Sequence, residues 1–304
     1  MCCEFEAKAL VDEVIKGLLG HIHVKEVTSN ARYQVVNFRK HFKAKLKRKN
    51  KVKIKLGKEA NGYRLCVGYG KIIVCFWSIP LLVVYNLGGK LHRQVNLEGK
   101  VKNPWSAAFV SNSLVVVAAA DGLIFVDIEA SAVVTRINAD RHAEVFYSID
   151  TIYALNVTKK CVEIIRKAAD EWTVTNTIDT VQIGEIHTSA TMVVTPSCVY
   201  VCNGTSEIYQ YSFNGALLQT VTVNEHQPSH GDRGVCAVDA DGRMALSVGG
   251  QLVIQHNDES RVVKLKSVKC IDDIVFDDQH SVWIFNEIDN KTGRYELLKL
   301  AMKQ

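Results

Sequence analysis

Residues Ser197–Val223, SCVYVCNGTSEIYQYSFNGALLQTVTV, decide the fold of this chain. Val199, Val201, Ile208, Tyr211 and Leu217 supply apolar positions in three short runs, and Asn203-Gly204 and Asn214-Gly215 separate those runs. Asn-Gly between β-type runs marks a hairpin, because both residues accept the positive φ of a tight strand-connecting turn. The stretch predicts three antiparallel strands.

The same unit recurs along most of the chain. Runs of one type open at Lys71 (KIIVCFW), Ser113 (SLVVVAA), Thr151 (TIYALNV), Ser197 (SCVYVCN), Gly242 (GRMALSV) and Ser281 (SVWIFNE), at spacings between 38 and 46 residues. Each is followed by a turn and a further strand (LLVVYNL, LIFVDIE, VEIIRKA, IYQYSFN, LVIQHND, YELLKLA), and five then have another: LHRQVNL, AVVTRIN, WTVTNTI, LLQTVTV and RVVKL. A period near 40 with four strands per unit predicts an all-β fold, a six-bladed β-propeller. The sixth unit runs out at LLKLAMKQ without a fourth strand. Lys51–Leu56, KVKIKL, alternates lysine with Val52, Ile54 and Leu56. That is a half-buried strand with one basic face, and it is expected to lend the last blade its outer strand and close the ring.

In Val199–Val201, Ile208–Tyr211 and Asn214-Gly215, and again in Gly234–Arg243 (GVCAVDADGR), the sequence resembles the NHL repeat, the six-bladed propeller module found at the C-terminal ends of TRIM-NHL proteins. The usual Asp and Arg of that repeat are Asn203 and Glu207 here, and no zinc-ligand spacing marks a RING or B-box. The resemblance implies an interaction propeller, some of which bind RNA. It does not imply ubiquitin-ligase activity.

Preceding the propeller, residues 1–50 read as a basic, helical extension. Ala7, Leu10, Val11, Val14, Ile15 and Leu18 fall on one helical face within 4–19, and Val35, Phe38, Phe42 and Leu46 make an apolar stripe within a second helix over 28–50. The domains expected are therefore 1–50 and 51–304. Twelve Lys and Arg and no acid lie between Arg32 and Lys58, so the net charge of +5 comes from this one segment and the rest is acidic on balance. Three readings of the segment stand side by side: a solvated face, a polyanion surface carried by Arg39, Lys40, Lys43, Lys45, Lys47 and Arg48, and a nuclear-import or acidic-partner patch.

The nine cysteines are odd in number, form no CxxC and sit mostly in apolar runs, which suits reduced, buried thiols in a cytoplasmic protein, with the nucleus as the alternative. Cys2-Cys3 are a candidate acylation site without a neighbouring basic cluster. The longest apolar run, Ile72–Tyr85, is broken by Ser78 and Pro80 and is too short for a membrane helix. Two buried strands joined by a turn explain it.

No cofactor or metal is expected. Cys198-x-x-x-Cys202 lacks further ligands, His226-x-x-x-His230-Gly-Asp232-Arg233 is interrupted by Pro228 and Gly231, and Asp140-Arg141-His142 falls in a connector. The first strands of the blades, read as WSAAFV, VFYSI, TMVVT and GVCAV, are mainly apolar, which argues against a hydrolase needing inward carboxylates around a metal. The connectors of one face carry Lys100, Lys102, Arg141, Lys159, Lys160, Arg233, Lys266 and Lys269 with Trp105 close by, a pattern that could hold RNA by phosphate contact and base stacking. Asp121, Asp140, Glu185, Glu207, Glu225 and Asp232 share those connectors. The expected function is a non-enzymatic interaction module for a protein partner. RNA binding and hydrolysis are the alternatives, and the oligomeric state is open.

Overall fold

The computed structural model describes residues 33–37, 47–55, 63–76, 78–137, 139–186, 190–203, 207–224, 236–239, 243–248, 251–256, 259–263, 270–277, 281–289 and 294–301. The chain divides into Met1–Arg32, which lies outside these residues, and Tyr33–Gln304, which holds all of them.

Five antiparallel sheets follow chain order. They are β3–β6 (Tyr63–Gly68, Lys71–Phe76, Leu81–Asn86, Leu91–Asn96), β7–β10 (Pro104–Phe109, Leu114–Ala119, Gly122–Asp127, Ala132–Ile137) and β11–β14 (His142–Ser148, Thr151–Asn156, Cys161–Ala168, Glu171–Asp179). The next two are β15–β18 (Thr191–Val194, Val199–Cys202, Glu207–Tyr211, Leu217–Asn224) and β19–β22 (Cys236–Val238, Met244–Val248, Gln251–His256, Glu259–Val263). The sixth sheet holds β23–β25 (Cys270–Phe276, Ser281–Asp289, Arg294–Ala301), with β2 (Lys47–Lys55) antiparallel to β25. The first strands form a ring in which β3, β7, β11, β15, β19 and β23 each pack on the next and β23 packs on β3. This is the six-bladed propeller that the repeat predicts.

The packing explains the repeat. Second and third strands are apolar at consecutive positions because both of their faces are buried. In β4, Ile73 and Cys75 join Val115, Val117 and Ile124 of the second blade, while Ile72, Val74 and Phe76 join Trp283, Phe285 and Leu297 of the sixth. Four further clusters fill the remaining seams, between blades two and three, three and four, four and five, and five and six. Each fully buried Val, Ile, Leu or Phe contributes about 1.5–3 kcal/mol. Burial thins outward, and the fourth strands β10 and β14 are largely exposed. The run Ile72–Tyr85 is β4, a turn and β5, as its break at Ser78 and Pro80 suggests.

The turns from first to second strand use one device where they are longer than two residues. A side-chain oxygen just past the first strand accepts the N–H that closes the turn: Ser111 from Leu114, Thr195 from Cys198, Asp239 from Arg243 and Asp277 from Ser281. In the sixth blade Asp277 also takes Trp283 Nε1 at 2.9 Å and Lys299 Nζ at 2.7 Å. Burial raises its carboxyl, but the Lys299 hydrogen bond and those from Ser281 and Trp283 outweigh this and hold it below the usual range.

The expected helix over 28–50 is not formed throughout. Tyr33–Asn37 is a strand, β1, parallel to β18, and β2 begins at Lys47 rather than Lys51. The local sequence accounts for both. Val35-Val36 is β-branched and favours extended backbone. The alternation of lysine with other residues starts at Lys47, so a period-two signal reaches four residues further back than KVKIKL. The helix expected over 4–19, Cys2-Cys3 and the residues between β1 and β2 lie outside the described residues. Among the described residues no helix is long and apolar enough to cross a membrane.

Candidate functional site in the central channel

All six first strands run in the same direction along the axis, so the ring has two unlike ends. They enclose a channel of about 520 Å³. Near the starts of the strands lies a charged layer. Arg64 of β3 places Nε 3.4 Å from Glu144 Oε2 of β11 and Nη1 3.7 Å from Asp273 Oδ1 of β23, and Nη2 donates to Ala190 O at 3.2 Å. Ser106 of β7 donates its hydroxyl to Glu144, and the backbone N–H of Leu65 donates to Asp273. Thus one guanidinium, in a residue 5 % exposed, ties the first blade across the axis to the third, fourth and sixth.

β-Bulges aim this layer. The pairing register slips between Pro104 and Ser106 in β7, between His142 and Glu144 in β11, and between Ile271 and Asp273 in β23. In each case the residue after the slip is the polar one of the charged layer. An extra residue reverses the in-and-out alternation beyond it, which turns a side chain that would enter a seam toward the axis.

Burial is the main influence on Glu144. It raises the carboxyl, Arg64 opposes the rise and Asp273 adds to it, so that Glu144 is pushed up to about 7. Burial likewise pushes the Cys66 thiol up to about 12, and those of Cys75 and Cys236 well above the ordinary range, so the thiols around this layer stay protonated. Thr191 Oγ1, in a residue 4 % exposed that lines the channel, has no hydrogen-bond partner among the described residues.

The far end is mostly aromatic, with Ser148, Asp239 and Asp277 at the strand ends. Tyr69, Phe109, Phe146, Tyr147, Ile149 and Phe276 line it. Tyr69 packs edge-on to Phe109 with ring centroids 6.0 Å apart. Gly68 is required there, because a Cβ on it would meet Phe109 Cδ2 at 2.9 Å. The mouth is made by two-residue hairpins, Tyr69-Gly70 (φ 50° and 72°) and Ile149-Asp150 (φ 46° and 57°).

Some of the basic connector residues expected to bind phosphate are engaged with neighbours. Lys100 Nζ reaches Ser131 O at 3.3 Å, and Lys159 Nζ lies 2.7 Å from Asp140 and 3.0 Å from Glu163, whereas Lys102 is exposed and it is its backbone N–H that donates to Asp121 Oδ1 at 3.0 Å. Trp105 is a correction: it is 8 % exposed with Arg141 over its ring at 5.6 Å, so it offers no free face for stacking a base. Its place inside follows from its being the extra residue of the β7 bulge. Lys160 is exposed, with φ 54° in the turn before β13. Arg39, Lys40, Lys43, Lys45, Arg233, Lys266, Lys269 and the His226–His230 stretch lie outside the described residues, and Lys47 and Arg48 are placed only as positions on β2.

His142 is not an exposed connector residue either. It is fully buried, with Nε2 2.9 Å from Glu163 Oε2, and Asn156 Nδ2 donates to Glu163 and Asp140 at 3.0 and 3.2 Å. Burial raises Glu163, but hydrogen bonds from His142 and Lys159 prevail and pull it down to about 2. This network fastens the turn between β12 and β13 to the start of β11. Cys198 and Cys202 are each 2 % exposed, as structural thiols are. Among the described residues no three His, Cys, Asp or Glu side chains are grouped to hold a metal.

The mainly apolar first strands expected from sequence require the other correction. Arg64, Glu144 and Asp273 stand in those strands, and the windows WSAAFV and VFYSI include Ser106 but start past Glu144. Charge inside an otherwise apolar first strand is the available signal: Arg64 in YRLCVG, Glu144 in HAEVFYS and Asp272-Asp273 in CIDDIVF.

No protein-family model matches the chain, and no curated protein matches its sequence. Solved structures are similar in fold. A streptogramin B lyase covers 83% of this chain and 98% of its own at 10% identity, with a TM-score of 0.52. The virginiamycin B lyase of Staphylococcus aureus covers 83% and 99% at 12% identity, with a TM-score of 0.54. The extracellular domain of a putative one-component system of B. thetaiotaomicron covers 83% of this chain and 40% of its own at 14% identity, with a TM-score of 0.52. Identities this low show a shared propeller architecture and nothing about activity.

A carboxyl that titrates at 4.5 when solvated and at about 7 in the fold binds its proton more tightly when folded. Its contribution to stability is complete below pH 4.5 and is lost as pH rises through 7. Thermal unfolding across this range should therefore show a Glu144-dependent fall in Tm toward higher pH. Glu144→Gln, which keeps the shape and removes the titration, should flatten that fall; an unchanged profile would place Glu144 in solvent.

Proposed function

We propose that this propeller is a non-enzymatic interaction module that docks a protein partner on the channel mouth formed by Tyr69, Tyr147 and Ile149. The observation that carries the reading is Ile149. It is 91 % exposed, it is β-branched, and it sits at φ 46°, in the left-handed region that favours Asn or Gly. An exposed isoleucine in that conformation costs stability, of order 1–3 kcal/mol, and packs on nothing that would repay it within the fold. Tyr69, 57 % exposed, lies at the neighbouring tip with its hydroxyl on Val110 O at 3.3 Å. Large apolar groups rimmed by polar ones are the usual composition of a protein-binding surface.

The RNA reading draws less support from the described basic residues, since the ammonium groups of Lys100 and Lys159 already have partners and Trp105 is covered. A hydrolase would draw on Glu144, whose Arg64 and Ser106 contacts suit a brace across the axis better than a proton shuttle. The likeness to NHL repeats rests on the residues of Gly234–Arg243, in which Arg243 pairs with Asp239 at 2.6 Å.

We also infer that Lys47–Lys55 closes the ring. Its register along β25, from Lys47 opposite Ala301 to Lys55 opposite Arg294, supports this, and its run of lysines suits an outer edge strand that must not pair further. Ile54→Asp should then lower Tm by several degrees, and a Tm equal to that of the wild type would remove the strand from the ring.

Ile149→Asn should stabilise the fold by about 1 kcal/mol through relieved strain, seen as a higher Tm, and weaken partner binding, while Ile149→Asp should abolish it. A nuclease-treated affinity pull-down from cells, compared between wild type and the two variants, reads this out. Partners that survive Ile149→Asp but are lost on nuclease treatment would overturn the reading in favour of RNA.

A further inference from the structure

The open part of the channel is a well. Arg64 crosses the axis to Glu144, Asp273 and the Ala190 carbonyl, so the space of about 520 Å³ lies between that layer and the mouth. This volume is in the range of small-molecule sites. Much of the polar wall is backbone. Each first strand is hydrogen-bonded to its second strand alone, so six unpaired strand edges face the axis.

The turns at the mouth fix which residues of those edges point inward. A two-residue hairpin is flanked by a pair that exchanges both backbone hydrogen bonds, and the pair next to it turns its N–H and C=O away from the partner strand. Gly68 and Lys71 flank Tyr69-Gly70, and Ser148 and Thr151 flank Ile149-Asp150, which leaves Val67 and Tyr147 facing the axis. In the longer turns Asp239 N–H donates to Arg243 O and Asp277 N–H to Ser281 O, each at 3.0 Å, so Val238 and Phe276 just before them face it too. Leu65 confirms the alternation, because two residues before Val67 it sends its N–H to Asp273. At that inner level side chains serve the strand edges. At Val67, Tyr147, Val238 and Phe276, which all line the channel, no described residue bonds the N–H and C=O turned to the axis. Backbone groups in an enclosed site are costly unless paired.

The charges of the wall are already answered. Its described lining holds no Lys, Arg or His and four carboxylates. Glu144 accepts from Ser106 and faces Arg64, and Asp273 accepts from Leu65 N–H and faces Arg64. Arg243 meets Asp239 at 2.6 Å, and Lys299 meets Asp277 at 2.7 Å. An anion therefore finds no base there, and a cation finds no unpaired acid. Apolar side chains, Phe109, Phe146 and Met192 among them, fill the wall between the edges.

We propose that the channel binds an uncharged small molecule carrying amide groups on an apolar body. Its amides pair with the strand edges at Val67, Tyr147, Val238 and Phe276, and its body packs on Phe109, Phe146 and Met192. An amide supplies both the donor and the acceptor that a strand edge lacks. The site goes beyond docking on the rim, because it makes no use of Ile149.

Methionine-methyl NMR of the full chain tests it, with N-acetylphenylalaninamide as the probe. N-acetylphenylalanine and phenylalaninamide are its anionic and cationic counterparts. Met192 lines the channel, whereas Met244 lies behind β19, on β20. The neutral amide should shift Met192 saturably and leave Met244 in place. Both charged analogues should bind at least about tenfold more weakly, since each would bury an unpaired charge. Propylbenzene, which keeps the apolar body without the amides, should also lose about tenfold or more, because it leaves the strand edges unpaired. Ile149→Asp should leave the amide affinity unchanged, so failure here and failure of the rim reading are distinct. No shift of Met192 up to about 10 mM amide, equal binding of a charged analogue or of propylbenzene, or loss of the amide in Ile149→Asp would overturn the proposal.

Discussion

Two-sided burial of the second and third strands is the constraint on which this structure depends. A sheet with one apolar face needs a single partner layer, whereas these sheets carry apolar side chains on both faces and need two. Arranging six of them radially lets each seam serve two blades, as Ile73 and Ile72 show by packing in opposite directions from neighbouring positions of β4. The ring of first strands follows, because it is where the wedges meet.

A ring built in this way has an axis, and its chemistry differs from that of the seams. Arg64 spans it to blades three, four and six, so that an enclosed charge cluster is also a tie between blades distant in sequence. Burial dominates at Glu144 and raises its carboxyl, whereas at Glu163 and Asp277 direct hydrogen bonds from His142 and Lys299 outweigh burial. The difference is one of stoichiometry and distance. Glu163 and Asp277 hold cations at 2.7–3.0 Å, while Glu144 shares its single guanidinium with Asp273.

Much of the architecture is legible in the sequence. The spacing of KIIVCFW, SLVVVAA and their counterparts locates every second strand, because two-sided burial writes an unbroken apolar run into the sequence. The channel is much less so. Its polar layer comes from Ser106, Glu144 and Asp273, each positioned by a one-residue bulge that periodicity cannot register. Trp105 reads as an exposed aromatic for the same reason. Between Arg32 and Lys58 the basic composition masks the conformational signal: an apolar stripe at helical spacing competes with the β-branched pair Val35-Val36 and with lysine alternation from Lys47, and strands form at both.

The channel depends on a buried, charged layer held at its inner end by one arginine. Site-resolved carboxyl-carbon NMR of the full chain, followed as a function of pH, measures that layer directly at Glu144. A midpoint near 7 is the predicted result, set by burial against the pull of Arg64. A midpoint near 4.5, the value of a solvated glutamate, would contradict it and leave the channel an open, water-filled bore.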